Sequence, residues 1–141
     1  MQAHAEEAVR IAASDHGMNL DYSPQSIARL ETVIAARSPV PEAEQEKATK
    51  LWGAYYGEVF RRHYPGDWIM AVYPGPQRSG QLNSGRADAG TEMAMPALDI
   101  HGSQIYPLLK IFRRLTMGPS EDLGGFYTKV SAALDARKSS E

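Results

Sequence analysis

Cysteine is absent from this chain of 141 residues. That absence excludes a disulfide scaffold, a thiolate zinc site and a cysteine nucleophile. It also fits a reducing compartment. No apolar run approaches the length needed to cross a bilayer. Glu6 and Glu7 stand where the basic segment of a signal peptide would be, so the expectation is a cytoplasmic protein without a leader or membrane anchor. Charge of one sign is scarce as well. The formal net charge is −2, with none of the basic excess that marks a nucleic-acid binder. The asymmetry is mild: residues 1–46 hold eight acids and three bases, whereas residues 47–114 hold nine bases and five acids.

Catalytic and ligand motifs are missing too. No Gly-x-Ser-x-Gly places a serine on a strained turn. Arg78, Gly80, Asn83, Ser84 and Gly85 form no phosphate loop, because the Lys-Ser/Thr that ends one is absent. The expectation is therefore no cofactor, no nucleotide, no metal and no nucleic acid.

What the chain does have is size and pattern. Its length gives one domain, residues 1–141, able to hide roughly two-thirds of its unfolded surface. The apolar fraction of 43% and the charged fraction of 23% are those of an ordinary globular domain. The densest segment is Leu51–Trp68, LWGAYYGEVFRRHYPGDW. It holds both tryptophans, three of the seven tyrosines and one of the three phenylalanines. It reads as an amphipathic helix that ends before Pro65-Gly66 and hands over to a strand.

Around it the pattern predicts helices over residues 3–16, from Ser23-Pro24 to Ser38, and from Pro41 to His63 or Tyr64. The first has a face of Ala5, Ala8, Val9 and Ala12 and is expected to pack poorly or fray. Strands follow at Trp68–Tyr73, Met93–Ile100 and Ser103–Tyr106. Pro96 argues for an edge or a bulge in the second. Pro107 opens a helix with Leu108, Ile111, Phe112 and Leu115 on one stripe. Ser120 caps a last helix carrying Leu123, Phe126, Tyr127, Val130 and Leu134 inward. Residues 74–91, rich in Gly, Ser and Pro, read as a mobile loop, and Arg137–Glu141 as a disordered tail. The order ααα–βββ–αα gives an α+β fold, a small antiparallel three-stranded sheet covered by helices. The expected core is Trp52, Tyr55, Val59, Trp68, Ile69, Val72, Leu98, Ile100, Phe112, Leu115, Phe126 and Val130.

The run LWGAYYGEVFRR, the Gly66-Asp67-Trp68 strand start, the strand ending PALDI and the helix in QIYPLLKIFRRLTMG together resemble a bacterial family of small domains of unknown function. The resemblance covers roughly residues 48–130. It implies the α+β fold and assigns no particular activity.

For function, the residues leave two readings. The first is a protein-binding or regulatory module, with an immunity-type role against a toxin partner as one form. Its candidate surface is the basic pairs Arg61-Arg62 and Arg113-Arg114 with Tyr56, facing an acidic protein partner. Gly53 and Gly57, four apart on the long helix, serve either close packing or that interface. The second is an enzyme or small-ligand pocket converging on His63, Asp67, Asp99 and His101. Those four match no ligand spacing known for a metal, and a solvated polar edge explains them more simply.

Overall fold

The computed structural model describes residues 1–73 and 93–139, and the loop expected over residues 74–91 lies outside the described residues. The elements are α1 (Gln2–His16), α2 (Ser26–Arg37), α3 (Glu42–His63), β1 (Asp67–Tyr73), β2 (Met93–Ile100), β3 (Ser103–Ile105), α4 (Pro107–Met117) and α5 (Leu123–Ser139). This is the α+β order ααα–βββ–αα. No described helix is long and apolar enough to cross a membrane.

α3 is the axis of the molecule. Its segment Leu51–Phe60 is buried at every position. A helix buried on all sides is a core helix rather than an amphipathic surface one, which corrects the one-faced reading of this segment. Its mixture of large and small residues lets α1, α4 and β2 pack around it. α1 lies along α3 with Ala5, Ala8 and Ala12 fully buried. The alanine face expected to pack poorly instead lets two backbones come close. α1 ends as Gly17 enters the left-handed region (φ 63), and its N–H and that of Met18 close on Ala13 O and Ala12 O at 3.2 and 3.0 Å. On another flank α4 reaches Gly53, where an added Cβ would sit 2.8 Å from Leu108 Cγ. At Gly57 a methyl would overlap the Trp68 ring and meet Pro107 Cγ at 3.1 Å. The glycine pair therefore serves internal packing, not a partner.

α2 begins at Ser26, and Ser23 Oγ accepts from the Ser26 N–H at 3.1 Å, which satisfies one of the helix's early donors. α5 begins at Leu123, and Asp122 rather than Ser120 supplies its cap, accepting from the Gly125 N–H at 2.9 Å. α5 runs to Ser139, into the segment read as a tail from Arg137.

The sheet order is β1-β2-β3. β1 pairs antiparallel with β2 without a break in register, Asp67 opposite Asp99 and Met70 opposite Pro96. β3 pairs only with Leu98, Asp99 and Ile100. Pro96 thus sits in the central strand, without a bulge, in the half that β3 does not reach. Near α3 the sheet is closed, with Leu98 and Ile100 fully buried. Farther along the same face the helices no longer cover it, so Met70 and Val72 are exposed at 67% and 45%. Phe112 is 41% exposed, since the stripe of α4 turned inward is Leu108, Ile111 and Arg114. Val72 and Phe112 are therefore not core residues. Trp68, Leu115, Phe126 and Val130 are half-buried against the core, and Ile69 is half-buried too. Trp52, Tyr55, Val59, Leu98 and Ile100 are buried as expected.

Candidate functional site: an acidic groove between two helices

The four polar residues proposed as a pocket lie at the end of α3, on β1 and β2 and in the turn after β2. Asp67 and Asp99 are register partners on adjacent strands. Asp99 Oδ1 accepts from the Gly102 N–H at 3.0 Å, so it shapes the turn after β2. His101 sits in that turn with φ 53. His63 Nε2 lies 3.0 Å from the Tyr22 carbonyl oxygen. A carbonyl only accepts, so this nitrogen carries the proton, and His63 ties α3 to the chain before α2. Among the described residues, no group of three or more His, Asp or Glu side chains is arranged to hold a metal ion.

Three of the four paired arginines bind carboxylates within the fold. Glu58 has no exposed surface. It accepts from Arg61 Nε at 2.7 Å and Arg61 Nη2 at 2.9 Å. It also accepts from Arg62 Nε at 3.0 Å and from the Trp68 indole N–H at 2.8 Å. Burial alone would raise the pKa of its carboxyl, but the hydrogen bonds from Arg61, Trp68 and Arg62 outweigh that and hold it at about 2. Arg62 also lies 3.7 Å over the Tyr22 ring, a cation–π contact. Arg114 is buried and gives its Nε to Glu31 Oε1 at 2.8 Å. The second oxygen of Glu31 accepts from the Leu123 N–H at 2.9 Å. Glu31 therefore joins α2, α4 and the start of α5. Tyr56 is fully buried and donates its hydroxyl to the Leu123 carbonyl at 2.6 Å, so it presents no surface to a partner. Of the five residues expected to meet one, Tyr56 and Arg114 are buried, while Arg61, Arg62 and Arg113 keep exposed surface.

The feature with the shape of a recognition site lies elsewhere. α2 and α5 flank an open groove of about 760 Å³. Its floor includes Ile27 and Tyr127, both buried in the core. Its walls carry small residues: Ala28 from α2, and Gly124, Thr128, Ser131 and Ala132 from α5. Glu31, Asp122 and Asp135 are its charged members, and no described residue lining it is basic. Glu31 is satisfied by Arg114, which leaves Asp122 and Asp135, both exposed, as the outward carboxylates.

The sequence reading missed this groove. One signal was present: Gly124, Tyr127, Thr128, Ser131, Ala132 and Asp135 recur at helical spacing, a second stripe on α5 beside the inward Leu123, Tyr127 and Leu134. No protein-family model, curated protein or solved structure matches the chain.

Proposed function

We propose that this protein is a protein-binding module and that the groove between α2 and α5 is its partner-facing surface. One observation supports this most directly: an open groove with an apolar floor, small-residue walls and exposed carboxylates at Asp122 and Asp135. Such a surface can bury a partner's side chains without first moving the domain's own. The arginine pairs are a poorer candidate surface, since Arg61, Arg62 and Arg114 each bind a carboxylate within the fold. The finer form of the reading is an immunity-type role, in which the module masks a toxin by occupying its surface.

The test is co-purification from the native cell with three forms of the protein. Wild type captures a partner. Ala132→Arg, at an exposed position in the groove, loses it while the thermal transition stays in place. Arg113→Glu keeps it. Loss with Arg113→Glu and retention with Ala132→Arg would return the interface to the basic helix α4.

A further inference from the structure

We infer that the ligand of the α2–α5 groove is a basic amphipathic α-helix of the partner protein. This rests on the binding-module reading and gives it a chemistry.

The walls set the backbone form of the ligand. Both are α-helices, whose N–H and C=O groups beyond the end turns are satisfied within the helix. An extended peptide laid between them would find no strand edge to pair with, and its own amides would lose water without replacement. A helix brings its backbone hydrogen bonds with it. The periodicity agrees. On α5 the groove is lined at 124, 127, 128, 131, 132 and 135, and on α2 and the turn that leads into it at 24, 25, 27, 28 and 31. These are the i, i+3, i+4, i+7 rows into which another helix sets its side chains. Ala28, Gly124, Thr128, Ser131 and Ala132 are small, so a third helix can approach to roughly 8–10 Å between axes. The groove then makes α2, α5 and the ligand a three-helix contact, with Ile27 and Tyr127 beneath the ligand's apolar row.

Charge sets the composition. Asp122 and Asp135 stand at opposite ends of the stripe on α5. They are thirteen positions apart by sequence number, about 20 Å at helical rise. No described lining residue opposes them with positive charge. A ligand helix bearing Lys or Arg about three to four turns apart on its flanks meets both carboxylates. An acidic helix is repelled by both.

The experiment uses the full chain and three synthetic peptides, read by ¹H–¹⁵N shift mapping at low salt. The first peptide spans about four helical turns, with leucines at i, i+4, i+7 and i+11 and lysines on both flanks. The second has the same composition with two central residues replaced by proline. The third has glutamate in place of every lysine. The first is expected to shift the amides of Ala28, Thr128 and Ala132 saturably, and the other two to leave them in place. Ala132→Arg abolishes the shifts. Asp135→Lys weakens binding about threefold, the scale of one exposed ion pair. Equal shifts from the proline peptide overturn the helical form, and equal shifts from the glutamate peptide overturn the charge rule. Shifts elsewhere, or none at all, overturn the assignment to this groove. The two readings fail separately. If Ala132→Arg loses the native partner while the lysine peptide leaves the groove untouched, the module stands and the basic helix falls.

Discussion

Glu58 is a fully buried carboxylate whose charge is held by two guanidinium groups and one indole, all from α3 and the start of β1. Its folded pKa of about 2 lies below the ordinary 4.5, so the deprotonated form is favoured by folding. That contribution is complete above about pH 5 and is lost as pH falls through the folded value near 2. It amounts to about 3 kcal/mol. Urea midpoints measured at neutral pH and near pH 3 are expected to differ for wild type. For Glu58→Gln the difference should shrink, on top of a loss of about 3 kcal/mol at neutral pH from two arginines left beside an uncharged group. A Glu58→Gln protein that keeps the full acid sensitivity of wild type would place that sensitivity elsewhere. A smaller effect belongs to Tyr56→Phe. It removes the hydroxyl that holds the Leu123 carbonyl and costs about 1–2 kcal/mol, without any effect on partner binding. Partner loss in a folded Tyr56→Phe protein would contradict its interior position.

At the scale of elements, α3 and its neighbours decide what a substitution costs. Gly57→Ala ordinarily helps a helix by about 1 kcal/mol, but here the methyl enters the Trp68 ring and crowds Pro107. The expected result is a net loss in chemical denaturation. A gain of stability would mean that β1 shifts freely against α3. Phe60 is fully buried between Tyr56, Phe126 and Tyr127, and Phe60→Ala is expected to cost about 3–5 kcal/mol. Phe112→Ala, at a 41% exposed position, should cost less than about 1 kcal/mol. Equal costs for the two would undo the burial assigned to α4. The contrast also marks how far the sequence could be read. Phe112 falls on the same i, i+4 row as Leu108, and periodicity alone does not say which edge of a stripe turns outward. Helices, strands and their order follow from proline, glycine and apolar spacing, which are local signals. Glu58 with Arg61 and Arg62 was legible as well, at i+3 and i+4. Glu31 with Arg114 was not, because 83 positions separate them. Nor was the groove, whose two walls are about a hundred residues apart in the chain. A site assembled from distant segments leaves no spacing to find.

Across the whole molecule, binding and stability separate in space. The groove lies between α2 and α5, while the heaviest packing is α3 against α1 and α4 and β1 against β2. Substitutions at the exposed groove positions Ala28, Thr128 and Ala132 should therefore alter partner capture while moving the unfolding midpoint by less than about 0.5 kcal/mol. Raising salt should weaken capture modestly, because exposed carboxylates are screened within about 10 Å at 0.1 M. An unfolding midpoint that tracks capture across such variants would tie the two together. The enclosure of α3 has a further consequence for the order in which the chain is made. Phe60 leaves the ribosome well before Tyr127, the ring packed 4.7 Å from it. At about 5–20 residues per second, the aromatic flank of α3 waits several seconds for its cover. Until α4 is made, α1 and α2 are the helices already synthesised beside α3, and a nascent chain paused before α5 still presents the Phe60 flank to chaperones. Slow codons between β1 and α5 should therefore lower the soluble yield of this protein more than slow codons placed before α3.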